Sequence, residues 1–307
     1  MWRRKGVALL VLAKRGQIMS SATSTTASYD AVSVPTRHLE VDGVSYAYRE
    51  LGPAAPADPT PLVFLHRFRA TLDDWDPAFV DAVAAQRTVI LFSDAAVGSS
   101  TGVPAKDVDE KAANAASFIR AKGLGQADVL GFSMGGFVAQ AIAIHEPELI
   151  RKVVLVGTGP GGNPETDPHT DIVFEIALHP EYTFEDTRYL FFSEGRNAET
   201  QASIDRINLR ADREPLVAAE TIQAMVELIT AFMSGQSGHY SLLGQLHQPT
   251  LIVSGDDDHF FPVKNQWLLY REIPHAQLAV YPLAGHAPHH QHPAEVAAQV
   301  ERFLATA

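Results

Sequence analysis

No cysteine occurs among the 307 residues, and that absence removes disulfides, thiolate zinc sites and a cysteine nucleophile from consideration. It fits a cytoplasmic protein, the location expected here ahead of export. Basic residues are scarce as well: 24 Lys and Arg stand against 36 Asp and Glu, a formal net charge of −12. A nucleic-acid partner needs a cationic footprint to displace counterions from phosphates, so that class is set aside. The acidic balance also offers nothing to anionic lipid. The apolar run at residues 6–13 (GVALLVLA) falls far short of the roughly 18 residues that span a bilayer, so no integral membrane association is expected.

That run follows the basic start Met1-Trp2-Arg3-Arg4-Lys5 and resembles the first two regions of a signal peptide. Lys14-Arg15 then interrupts it, and no A-x-A cleavage site follows. Met19 opens the Ser/Thr-rich stretch SSATSTTAS, a composition typical of a disordered leader. Met19 is therefore the expected natural start, ahead of a short amphipathic tail and of a secretion signal. Residues 1–34 are set apart from the fold.

The whole chain has 46% hydrophobic and 20% charged residues, an ordinary globular composition. Residues 37–41 and 44–48 alternate in polarity around Asp42-Gly43, a two-residue hairpin signal. Continuous apolar runs follow at 62–65, 88–92, 127–131, 152–156 and 250–253, with a more polar one at 277–281. The continuous runs are typical of strands buried on both faces, and the last is expected nearer an edge. Helical stretches fall between them at about 76–86, 106–122, 134–146, 263–272 and 293–305. This alternation predicts βαβ crossovers and a mostly parallel sheet with helices on both faces.

Residues 158–248 break the alternation. They open on a breaker-rich linker and carry many aromatics, among them Phe174, Tyr182, Phe184, Tyr189, Phe191 and Phe192. The expected organisation is an α/β core built from residues 35–157 and 249–307, with 158–248 a helical insertion lying over the sheet as a lid.

The chemistry-bearing motif is Gly131-Phe132-Ser133-Met134-Gly135-Gly136, placed between an apolar strand and an apolar helix. Such a chain must reverse sharply, which puts a serine in a strained turn with its Oγ exposed above the sheet. Small residues are needed at 131 and 135 because a Cβ there would meet neighbouring backbone. A serine hydroxyl is a poor nucleophile until a base takes its proton, so an acid and a histidine should follow in that order. Asp256, Asp257 and Asp258 come directly after an apolar strand, and Gly285-His286 comes after the last one. Each lies on a loop beyond a strand end, where distant segments converge.

With LVFLHRF at 62–68, GFSMGGFVAQ at 131–140, SGDDDHFFP at 254–262 and AGHAPHHQHP at 284–293, the chain resembles α/β-hydrolase fold enzymes of the non-haem haloperoxidase and ester-hydrolase type. The resemblance runs from about Leu39 to the C-terminus. It implies an α/β-hydrolase fold with a mostly parallel eight-stranded sheet and a helical cap. Within it, Asp258 takes the place of the acid, three residues after Gly255 and ahead of Pro262, while Asp256 and Asp257 become turn and loop groups. His286 takes the place of the base, and the backbone N–H groups of Met134 and Phe68 that of the oxyanion hole. The implied reaction is acyl transfer through an acyl-enzyme on Ser133, without a metal or organic cofactor.

The implied substrate is a small molecule: a carboxylic ester or lactone with a small to medium, largely apolar acyl group. Perhydrolase or haloperoxidase-like turnover is the expected side reaction. Serine at 133 argues against the dehalogenases and epoxide hydrolases of the fold, which carry aspartate there. A C–C bond hydrolase or lyase, and a ligand-binding protein that uses the lid as a sensor, are the alternatives.

Two stretches depart from the family pattern. His66-Arg67-Phe68-Arg69 stands where the family has His-Gly. A positive φ at Arg67 would cost on the order of 1 kcal/mol. Arg67 and Arg69 could meet a substrate carboxylate, but pairing with Asp73, Asp74 or Asp76 is the preferred reading. Residues 93–100 keep Gly98 and Ser100 of a family D-x-R-G-x-G-x-S brace and lack its acid, arginine and first glycine. His286, His289, His290 and His292 lie on a Pro-containing loop and are not read as metal ligands. His145 is read as a helix-end histidine suited to the dipole, and Trp75 and Trp267 as core or pocket wall.

Overall fold

A computed structural model describes residues 30–306. The readings of the start codon and of the signal-like segment lie outside the described residues. The boundary at 34 needs correction, because Ala31 and Val34 are buried. The Ala31 N–H donates to Asp81 Oδ1 at 2.7 Å, and Arg210 Nη1 donates to the Val32 and Val34 carbonyls at 2.9 and 2.8 Å. The polar Ser/Thr run ends before these small apolar residues, so its composition does not extend to them.

The hairpin β1 (Arg37–Val41) and β2 (Val44–Leu51) turns at Asp42-Gly43, both at positive φ, as a two-residue primed turn requires. Six parallel strands follow: β3 (Leu62–Leu65), β4 (Val89–Phe92), β5 (Ala127–Phe132), β6 (Ile150–Val156), β7 (Thr250–Gly255) and β8 (Ala276–Tyr281). The eight strands form one sheet in the order β1-β2-β4-β3-β5-β6-β7-β8. β2 runs antiparallel to β1 and β4, and every other pairing is parallel. β8 is the half-exposed edge that its polar pattern predicts.

Alternate residues of each inner strand face opposite layers. Val63, Ile90, Val129, Leu155 and Ile252 pack against α2 (Val108–Ala121) and α3 (Met134–His145). Phe64, Leu91, Leu130, Val154 and Val253 face α1 (Pro77–Ala84) and a C-terminal helix over Pro293–Leu304. Burying each such side chain contributes about 1.5–3 kcal/mol, which is why continuous apolar runs mark these strands.

Between β6 and β7 the chain inserts four helices, α4 (Asp171–Ala177), α5 (Phe184–Phe191), α6 (Asn197–Ile207) and α7 (Ala219–Met233), then a 3-10 segment, His239–Gln245. Asp76, the N-cap of α1, accepts from Ser203 Oγ at 2.7 Å and pairs with Arg206 at 2.6 Å, tying α6 to the core. After β7 come α8 (Val263–Glu272), then, past β8, α9 (Pro288–Gln291) and α10 (Pro293–Leu304). The short α9 occupies part of what the sequence suggests is a loop. Among the described residues no helix is long and apolar enough to cross a membrane.

Candidate active site

Ser133 joins β5 to α3 with φ 55° and ψ −119°. Such a conformation costs a non-glycine residue on the order of 1–3 kcal/mol and persists only where its surroundings hold it. Here they do. The Ser133 N–H donates to the Val156 carbonyl at 2.9 Å, and the Ser133 carbonyl accepts from the Gly136 N–H and from Thr158 Oγ1, each at 2.8 Å. A Cβ at Gly131 would run into the Gly135 backbone, and one at Gly135 into the Leu65 carbonyl. The Ser133 side chain makes no capping bond to α3, which leaves Oγ free at the helix N-terminus.

His286 is 2% exposed and set among the rings of Phe260 and Phe132, whose centroids lie 4.5 and 5.0 Å from its own. Its Nδ1 meets Asp258 Oδ1 and Oδ2 at 3.1 and 3.0 Å. Oδ1 also accepts the N–H groups of Phe260 and Phe261 at 2.8 and 3.0 Å, which fix the carboxylate's orientation toward the imidazole. The neighbouring aspartates point elsewhere. Asp256 Oδ1 faces the Ala284 N–H at 3.4 Å, and the Asp257 side chain is 46% exposed.

Met134 is the first residue of α3, where a backbone N–H has no partner within its helix. Phe68 lies on the loop after β3 and lines the same cavity as Met134, Ser133 and His286. Phe137, Phe174, Tyr182, Phe191 and Ile229 form much of the wall of that cavity. The aromatics from α4 and α5 and the aliphatics from α7 roof it over the strand ends.

The residue with positive φ in the 66–69 loop is Arg69 (φ 58°), so the strain considered for Arg67 falls two positions later. Arg69 is held there by its side chain. Nη1 donates to the Ala177 and His179 carbonyls at 2.9 and 2.7 Å, Nη2 to the Pro180 carbonyl at 3.0 Å, and the guanidinium stacks over Tyr182. Arg67 pairs with Asp74 at 2.9 Å and lies over the Phe191 ring. Asp73 and Asp76 serve Arg49 and Arg206 instead.

In the 93–100 loop other groups replace the missing family brace. Ser100 Oγ donates to the Ser93 carbonyl at 3.0 Å and accepts the Ala47 N–H at 2.9 Å, while Asp94 pairs with Lys111 at 2.6 Å. His289 and His290 enter a ring cluster, with His289 4.4 Å from Phe132 and 5.9 Å from Trp75. Burial lowers the pKa of both, His290 to about 3, so both are neutral at pH 7. Burial likewise lowers His66 to about 4.

Trp75 is core, packed on Phe64. Trp267 is neither core nor wall: it is 45% exposed, and Arg271 one turn on covers its ring. Thr158 is a positioning residue that sequence reading overlooks, because it sits in a stretch resembling a plain linker. Its only signal is its place directly after β6, beside the turn that follows β5.

A model of the alpha/beta hydrolase fold matches residues 60–293. Among solved structures, an alpha/beta hydrolase fold protein from Chitinophaga pinensis superposes with a TM-score of 0.83 at 32% identity, covering 91% of this chain and 100% of that one. A 2-hydroxy-6-oxononadienedioate/2-hydroxy-6-oxononatrienedioate hydrolase from Pseudomonas sp is 29% identical over 233 residues, 74% of this chain and 80% of the relative. The biotin biosynthesis bifunctional protein BioHC of Teredinibacter turnerae is 26% identical over 81% of this chain, and the chain spans only 46% of that relative's length.

Proposed function

Since the chain belongs to the alpha/beta hydrolase fold family, we propose that it hydrolyses a carboxylic ester or lactone with a small to medium apolar acyl group. One observation carries the reading: Ser133 and His286 line a single, largely apolar cavity, and the far nitrogen of His286 is held by buried Asp258. His286 Nε2 takes the Ser133 proton as Oγ bonds to the carbonyl carbon. The Met134 and Phe68 N–H groups receive the oxyanion, each donor contributing about 3–4 kcal/mol at the transition state. His286 returns the proton to the leaving alcohol, and water then releases the acid by the same route. Helices α4–α7 act as a cap over the acyl pocket.

Short-chain p-nitrophenyl esters test this with wild type beside Ser133→Ala. Equal rates would remove Ser133 from the nucleophile's role, and no turnover of any ester would reject the substrate class. Hydrogen peroxide in place of water probes the perhydrolase side reaction.

A second reading is C–C bond hydrolysis of a carboxylate-bearing substrate. Arg67 favours it, since it lines the same cavity and its buried Nε has no partner; so does the name of the Pseudomonas relative, a hydrolase of dioates. Neutralisation of Arg67 by Asp74 weighs against it. Turnover of a 2-hydroxy-6-oxo dienoate with no ester turnover would decide for this reading.

A further inference from the structure

At the far end of α3 from Ser133, three side chains from separate elements converge. Asp109 belongs to the first turn of α2, His145 is the last residue of α3, and His239 opens the 3-10 segment that leads back from the inserted helices. Asp109 Oδ1 lies 2.9 Å from His239 Nε2 and 3.0 Å from His145 Nε2, and the three ligand atoms all fall within 4.8 Å of one another. The two imidazole planes stand at 82° to each other, and both Nε2 atoms face the one Asp109 oxygen.

We propose that Asp109, His145 and His239 bind one divalent transition-metal cation of the Zn²⁺ class, in a site that is structural and not catalytic. Zn²⁺ at 2.0–2.2 Å from nitrogen and oxygen ligands in a tetrahedron sets neighbouring ligand atoms roughly 3.3 Å apart. The two carboxylate–imidazole separations, 2.9 and 3.0 Å, need only a few tenths of an ångström of adjustment, and the two imidazole nitrogens lie within 4.8 Å of each other. Two imidazoles and one carboxylate suit such a cation far better than Mg²⁺ or Ca²⁺, which take oxygen. The negative end of the α3 dipole lies beside the point of convergence and favours positive charge there.

His239 is 3% exposed, and its Nδ1 has no partner, so the polar engagement of that ring is through Nε2, toward this cluster. Asp109 and His145 are half-exposed, which leaves a fourth position open to water. Twelve-residue α3 separates the cluster from Ser133 by roughly 18 Å. The cation therefore takes no part in the reaction and pins the return segment to α2 and α3.

The test is calorimetric titration of the full chain, freed of metal by chelator and dialysis, with Zn²⁺ and separately with Mg²⁺. Thermal melts with and without Zn²⁺ accompany it. Wild type should bind one Zn²⁺ per chain at micromolar or tighter affinity, bind Mg²⁺ far more weakly, and melt higher with Zn²⁺. His145→Ala and Asp109→Asn, at half-exposed positions where folding survives, should each weaken Zn²⁺ by about tenfold or more and abolish the rise in melting temperature. His247→Ala, an exposed histidine outside the cluster, should change neither. No saturable binding, or binding by His145→Ala equal to wild type, would overturn the site and leave a hydrogen-bonded trio. Ser133→Ala should bind Zn²⁺ as wild type does, so the outcome is independent of the hydrolase reading.

Discussion

At the N-terminal ends of the parallel strands, fully buried Asp128 receives Arg151 Nε at 2.9 Å and lies 3.5 Å from buried Arg87, which also holds Glu301 at 2.7 Å. At the C-terminal ends, buried histidines are kept neutral among aromatic rings, Ser133 holds a strained backbone with its hydroxyl uncapped, and one carboxylate is reserved for one imidazole. Both ends bury polar groups. The first satisfies them with opposite charge and so locks strand register; the second leaves the ring nitrogens of His66 and His289 and the Nε2 of His290 without partners. Charge pairing at the first end serves the fold, and unsatisfied valence at the second is what chemistry requires.

Substitutions at the two ends should therefore fail in different ways. Ser133→Ala should lower kcat for a p-nitrophenyl ester by about a millionfold with an unchanged urea midpoint. A parallel loss of stability would show that the strained turn depends on the hydroxyl. Asp258→Asn should lower kcat by about 10⁴-fold. Near-normal turnover in that variant would shift the acid to another aspartate.

Asp128→Ala should reverse the pattern. Removing one partner from a buried ion-pair group costs about 3–5 kcal/mol, read as a lower urea midpoint, while kcat per folded molecule stays within about twofold. A large fall in kcat would mean that the two ends are coupled through the strands.

Acid sensitivity should come from the C-terminal end. His66 and His290 have folded pKa values of about 4 and about 3, below the ordinary 6.5. Between these values and 6.5 the unfolded chain binds the protons and the native protein does not, so stability is full above pH 6.5 and falls as pH drops toward 4. Urea midpoints measured from pH 7.5 to 4.5 check this, and His66→Gln or His290→Gln should flatten the slope. The smallest effect belongs to Asp257→Asn, within about 0.5 kcal/mol and without loss of rate. A loss near that of Asp258→Asn would erase the distinction between the two carboxylates.

Much of this contrast can be read along the chain. Continuous apolar runs mark the inner strands because both faces are covered, and the strand–turn–helix setting explains Gly131 and Gly135 by sterics alone and marks the strained position that Ser133 occupies. The choice among Asp256, Asp257 and Asp258 is not legible from local pattern, since all three follow one strand. It depends on where the Phe260 and Phe261 N–H groups and the His286 loop arrive. The positive φ at Arg69 is hidden for a like reason: its compensation comes from carbonyls more than a hundred residues away. Position and partner also separate His145 as a helix end from His145 as one of three convergent ligands.

The same Arg69 bonds bear on timing. Three carbonyls at the end of α4 and just beyond it grip a guanidinium whose backbone adjoins Phe68. A swing of α4 outward must release Arg69 or carry it along, and Arg69 directly follows Phe68, whose N–H is proposed for the oxyanion hole. If Arg69 moves Phe68 with it, substrate entry and bond cleavage would alternate within each turnover. A slower kcat at little-changed KM in Arg69→Ala would register that interlock, and an unaltered kcat would dismiss it.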